Sequence, residues 1–82
     1  MAKVFLPYEL ARSFAAGVTE HEFAVRDIRE LMRELDARFP GIRARLERGT
    51  AVAIDSEIYR DWLLQPIGPS AEVRFLPAIG GG

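Results

Sequence analysis

The chain ends in Gly80-Gly81-Gly82, and a terminal glycine run offers chemistry that no side chain supplies. Glycine has no Cβ, so such a segment threads a narrow channel and takes up backbone angles closed to other residues. The five residues after Pro77 reach roughly 17 Å when extended, at about 3.4 Å each. That reach would set the carboxylate of Gly82 inside another protein's active site while a globular body docks outside. A carboxylate is a poor acyl donor until a leaving group is attached. ATP can convert it to an acyl adenylate, and a sulfur or amine nucleophile can then displace AMP. The competing reading is a frayed end without a role, since chain termini are commonly disordered.

Little else in the sequence could do chemistry. Cysteine is absent, which removes disulfides, thiolate nucleophiles and cysteine metal sites. A single histidine, His21, argues against a metal cluster or a Ser-His-Asp arrangement, so no catalytic residue and no metal ligand is expected. Asp55 and Glu57 are close in sequence but show no sign of a paired acid-base role. Arg38, Arg43, Arg45 and Arg48 are interleaved with Asp36 and Glu47 and lack aromatic platforms for bases, which reads as a solvated helical face. Eleven basic and twelve acidic residues give a net charge of −1, too little to draw in nucleic acid or an anionic membrane. No apolar run approaches the 18 or so residues that span a bilayer, and Pro7 and Glu9 interrupt the N-terminus too early for a secretory signal. A cytoplasmic protein is expected.

The elements that must position the tail follow from patterning. At 82 residues, 49% hydrophobic and 28% charged, the chain has room for one folded domain, expected over 1–77, with 78–82 as a flexible glycine-rich tail. Lys3 to Pro7 reads as a strand with Val4 and Leu6 on one face and Phe5 on the other. Tyr8 to Gly17 reads as a loop with a helical turn, and Val18 to Val25 as a more exposed strand forming a hairpin with the first. Asp27 and Glu30 have the spacing of a capping box. Behind them Ile28, Leu31, Met32, Leu35 and Phe39 form one stripe of a helix that Pro40-Gly41 stops, with Arg29, Arg33 and Asp36 turned away. A short helix over Ile42 to Arg48, ended by Gly49, precedes a strand over Thr50 to Asp55. A turn at Asp55-Ser56-Glu57 leads to a short return strand at Ile58-Tyr59. Arg60 to Ser70 reads as an irregular crossing anchored by Trp62, Leu63, Leu64 and Ile67, with Trp62 a core plug. Glu72 to Pro77 alternates as a last strand.

One helix cannot bury its stripe alone and must lie across a sheet. The fold class is therefore α+β, a β-grasp with a mixed sheet of four to five strands and one main helix across one face, the first and last strands meeting in the centre. By strand parity Phe5, Pro7 and Leu76 group on the face away from the helix, with Arg74 among them, as a candidate docking patch beside the tail.

These features resemble the MoaD/ThiS sulfur carrier proteins, ubiquitin-like β-grasp domains that end in Gly-Gly. The resemblance spans the chain: Lys3-Val4-Phe5-Leu6-Pro7; the helix Val25-Arg26-Asp27-Ile28-Arg29-Glu30-Leu31-Met32 running to Arg38-Phe39-Pro40-Gly41-Ile42; and Val52-Ala53-Ile54-Asp55. Its most specific part is Ser70-Ala71-Glu72-Val73-Arg74-Phe75-Leu76-Pro77-Ala78-Ile79-Gly80-Gly81-Gly82. Two positions depart from the pattern: a third glycine, Gly80, precedes the terminal pair, and Ser56-Glu57 stands where many relatives have Asn-Gly.

The resemblance implies a cycle. A ubiquitin-activating-like enzyme of the MoeB/ThiF type, using ATP and magnesium, adenylates Gly82, and a sulfur donor protein converts it to a thiocarboxylate. The thiocarboxylate then gives sulfur to a biosynthetic acceptor, with the molybdopterin type favoured and a MoaE-like synthase subunit as partner. The chain itself binds no cofactor and acts as carrier or small synthase subunit. Phe5, Pro7, Arg74, Leu76 and Ile79 are the implied partner contacts, and Gly80 and Gly81 the implied tail. Two alternatives stay open: a ubiquitin-like modifier conjugated through Gly82, and an interaction module in which the tail has no part.

Overall fold

Alternating apolar and polar residues near the two ends of the chain form the two strands at the centre of the sheet. The computed structural model describes residues 1–48 and 50–77. Strand β1 (Ala2–Phe5) buries Ala2 and Val4, and β5 (Glu72–Pro77) buries Val73 and Phe75. The two run parallel, with Val4 opposite Val73. Around them stand β2 (Glu20–Phe23), β3 (Thr50–Ile54) and β4 (Glu57–Tyr59), in the order β2-β1-β5-β3-β4. Every pairing other than β1 with β5 is antiparallel. The expected β-grasp arrangement holds, with five strands.

Helices α1 (Tyr8–Phe14), α2 (Ile28–Arg38) and α3 (Ile42–Leu46) supply the rest of the core. The α2 stripe is as its spacing demands: Ile28, Leu31, Met32 and Leu35 are all fully buried. Its N-terminus is held twice. Asp27 Oδ1 accepts from the Glu30 amide at 2.7 Å, and Glu30 Oε1 accepts from the Arg26 amide at 2.8 Å, one residue earlier than a standard capping box. The Ile28 amide, which an isolated helix would leave unpaired, donates to Gln65 O at 3.0 Å, and Ile67 N donates to Arg26 O at 2.8 Å. The irregular crossing is thus stitched to the start of α2.

Several expectations need correction. Tyr8 to Phe14 is a full helix, because Leu10 and Ala11 bury against the core and Phe14 packs at its margin. The link from β1 to β2 therefore contains a helix and is no tight hairpin. Asp36 does not simply face solvent: its Oδ1 accepts from the amides of Gly41 and Arg43, both at 3.1 Å, and so caps the α2–α3 turn. Gly41 needs its left-handed conformation there (φ +96°), where a Cβ would be strained. The second helix ends at Leu46, and Gly49 lies outside the described residues. In the crossing, Trp62 and Ile67 are anchors, but Leu63 and Leu64 are exposed. Trp62 donates from Nε1 to Thr50 O at 2.7 Å and meets Phe75 edge-on, as a buried indole should.

The β3–β4 turn centres on Asp55-Ser56, not Ser56-Glu57. Both residues have positive φ, +49° and +77°, which is the hand that a two-residue hairpin requires. Asp55 tolerates this and is further tied to β5, its amide donating to Glu72 O and its Oδ1 accepting from Glu72 N. Ser56 has no such support. Urea unfolding should show Ser56→Gly more stable by about 0.5 kcal/mol, the left-handed strain removed less the glycine entropy cost. Leu31→Ala should lose about 3 kcal/mol. A loss on Ser56→Gly would contradict the strain assigned to the turn.

Candidate functional site

Register decides which side chains share the sheet face opposite the helices. Phe5 stands opposite Arg74, Arg74 opposite Ala53, and Ala53 opposite Ile58, so one row crosses β1, β5, β3 and β4. The neighbouring row pairs Leu76 with Ala51. Facing residues on adjacent strands point to the same side, so these six residues share the outer face, Ala53 being buried within it. Lys3, Glu20, Glu22 and Glu72 border it, with Lys3 Nζ 4.0 Å from Glu20 Oε2.

Arg74 is the organising side chain. Its Cζ lies 4.0 Å from the centroid of the Phe5 ring, and its Nη2 lies 3.7 Å from Glu72 Oε1. Each contact is worth no more than about 1 kcal/mol at an exposed site. Together they place the guanidinium over the ring while leaving the side chain about half exposed. The surface offers aliphatic side chains towards β4 and, towards β2, the Arg74 cation beside the Glu72 carboxylate. Ile58 is 66% exposed at its edge.

The backbone then relates this face to the end of the chain. Because β1 and β5 are parallel, Leu76 and Pro77 leave the sheet at the end where β1 passes into Leu6, Pro7 and α1. Phe5 and Leu76 lie on the outer face as their parity predicts. Pro7 is half-buried beyond the strand, preceding the first turn of α1, and so sits at the rim of that face. Ile79, Gly80, Gly81 and Gly82 lie outside the described residues, as does the expected division between a domain over 1–77 and a tail over 78–82.

The other candidates have structural work to do. His21 is half-buried, its Nε2 2.7 Å from Val18 O and its ring edge-on to Phe39 at 5.2 Å between centroids. In the arginine-rich stretch, Arg43 pairs with Glu47 at 2.9 Å and Arg38 lies over the Phe23 ring at 4.6 Å. Tyr59 donates to Glu57 at 2.8 Å. That hydrogen bond, with some burial and the negative charges of Glu57 and Asp55, raises the phenol above its ordinary value of 10.0, so it stays protonated at neutral pH. Among the described residues, no group of three His, Cys, Asp or Glu side chains could hold a metal ion. No helix there is long and apolar enough to cross a membrane.

The ThiS family model matches residues 8–82. The chain belongs to the ThiS family. No curated protein sequence matches it. Among solved structures, a chain of the Amycolatopsis orientalis BexX/CysO complex superposes with a TM-score of 0.86 at 26% identity, over 100% of both chains. CysO of Mycobacterium tuberculosis matches with a TM-score of 0.85 at 20% identity, over 96% of this chain and 100% of that one. Small archaeal modifier protein 1 of Methanosarcina acetivorans matches with a TM-score of 0.78 at 22% identity, over 99% and 95%. The last two show a shared fold alone. The ubiquitin-like β-grasp and the MoaD/ThiS resemblance read from the sequence therefore stand.

Ile58 and Glu72 join the candidate face although parity reasoning did not single them out. A three-residue strand such as β4 does not reveal which of its side chains faces outward until its register with β3 is known. Since Ile58 is exposed, Ile58→Ser should change stability by less than about 0.5 kcal/mol. In calorimetric titration against a protein that binds this face, the same change should weaken binding at least roughly tenfold. Unaltered binding would remove Ile58 from the docking surface.

Proposed function

We propose that this ThiS-family chain is a sulfur carrier whose working group is the carboxylate of Gly82. The observation that supports the reading is the central place of β5, paired with β1 up to Arg74 and with β3 up to Pro77, which keeps the chain in the sheet until five residues before Gly82. A partner protein meets the outer face at Phe5, Pro7, Arg74, Leu76 and Ile79, while Gly80 and Gly81, lacking side chains, pass into its active site.

The chemistry belongs to the partner. A carboxylate oxygen of Gly82 attacks the α-phosphate of ATP, with magnesium held by the activating enzyme, and pyrophosphate leaves. Hydrosulfide, delivered free or from a sulfur donor protein, attacks the acyl carbon. The C–S bond forms as the C–O bond to AMP breaks, and the thiol proton passes to water. The resulting thiocarboxylate donates sulfur in cofactor or metabolite biosynthesis. A molybdopterin-type acceptor on a MoaE-like subunit is the destination that the whole-chain pattern favours. That one matched structure comes from a two-protein complex supports a role carried out with a partner.

Intact mass after incubation with ATP, magnesium, the cognate activating enzyme and sulfide should rise by about 16 Da, sulfur replacing oxygen. An unchanged mass with an enzyme known to be active would refute the assignment. Conjugation to lysines of other proteins through Gly82 is the second reading, favoured by the fold shared with a small archaeal modifier. Gly82-dependent isopeptide adducts in extracts, without any thiocarboxylate, would establish it instead.

A further inference from the structure

The sheet ends at β2, which pairs with β1 on one side and has no strand on the other. Alternation along the backbone decides which of its groups β1 takes up. The Lys3 amide donates to Ala71 O at 2.9 Å, towards β5, whereas the Leu6 amide donates to Thr19 O at 2.8 Å, towards β2. Even-numbered residues of β1 therefore turn their backbone groups to β2. Val4 faces His21 and Ala2 faces Phe23, so His21 and Phe23 are the residues bonded to β1. The amides and carbonyls of Glu20 and Glu22 point out of the sheet. Nothing in the described chain covers them: Val18, Glu20, Glu22 and Ala24 are all exposed.

The side chains give this edge two different sides. Glu20 faces Phe5 and Glu22 faces Lys3, which sets both carboxylates on the outer face. Lys3 reaches Glu20 at 4.0 Å, and among the described residues Glu22 makes no ion pair. On the inner side, between the two glutamates, His21 is half-buried with its ring edge-on to Phe39. Charges on an edge strand commonly keep other strands away. Here they discriminate. Within β2 the outward backbone groups are those of Glu20 and Glu22, so a second copy pairing edge to edge brings glutamate against glutamate, which is unfavourable. A strand with cations at the same positions gains opposite-charge pairs instead.

We propose that the free edge of β2 is a second interaction site, which accepts an extended segment of a partner protein as one more strand of the sheet. The segment carries lysine or arginine beside Glu20 and Glu22, and an apolar side chain between them beside His21 and Phe39. Main-chain hydrogen bonds to Glu20 and Glu22 attach it, and its alternation of basic and apolar side chains selects it. The site works independently of any chemistry at Gly82.

The probe is a blocked hexapeptide of alternating lysine and valine, with a glutamate–valine hexapeptide as its control, followed by amide hydrogen exchange in NMR. The basic peptide should slow exchange at the Glu20 and Glu22 amides, while the amides of His21 and Phe23, already bonded to β1, change little. Reversing both charges (E20K with E22K) should weaken the basic peptide at least roughly tenfold and admit the acidic one. Glu22→Pro removes an outward donor that the fold does not use and should weaken the basic peptide roughly fivefold, the effect of one hydrogen bond. Circular dichroism checks that both variants stay folded, and the charge reversal alone decides the matter if the proline variant does not. Equal binding of the two peptides, or no added protection at Glu20 and Glu22, would overturn the proposal. Protection of those amides that rises with protein concentration in the absence of peptide would overturn it too, in favour of a second copy.

Discussion

The parallel pairing of β1 with β5 is the constraint from which the rest of the molecule follows. A parallel pair needs covering on at least one face and a crossover between its strands, and here nearly the whole chain is that crossover. Val4 and Val73 meet at its centre with no exposure, and α2 seals them with Ile28, Leu31, Met32 and Leu35. Placing the last strand in the middle of the sheet means that its backbone is bonded on both sides, to β1 and to β3. The last residues of β5, up to Pro77, pair with β3, so the chain stays within the sheet to the end of the described residues.

The second face of the same pair is the candidate docking surface. Lys3, Phe5, Glu72, Arg74 and Leu76 point away from the core because Ala2, Val4, Val73 and Phe75 point into it. One alternation in two short strands thus produces both stability and a surface. The charges on that surface are weakly paired, so a partner can exchange them for its own at small cost. Under the proposed function, the protein's contribution to chemistry is delivery of a carboxylate to groups held by a partner.

How much of this could be read from residues alone depended on how local the signal was. The α2 helix was legible because Asp27, Glu30, five apolar positions and Pro40-Gly41 all agree within fifteen residues. The outer face at Phe5, Arg74 and Leu76 was legible because strand parity is local too. The α1 helix was not, since Leu10, Ala11 and Phe14 make a small stripe whose burial depends on distant packing. The capping role of Asp36 required the path of the chain through Gly41, five residues away. Ile58 required the register of β4, and that register comes from a turn at Asp55-Ser56, with a strained serine, one residue before the Ser56-Glu57 pair that the sequence suggested.

The central claim is that the final carboxylate of this chain is the group that ATP activates. Isotope exchange between pyrophosphate and ATP, catalysed by the cognate activating enzyme, reports formation of the acyl adenylate directly. The account predicts exchange that depends on the native chain and disappears when Gly81 and Gly82 are removed, with the fold over residues 1–77 unchanged by circular dichroism. Exchange at an equal rate with the shortened chain would contradict it.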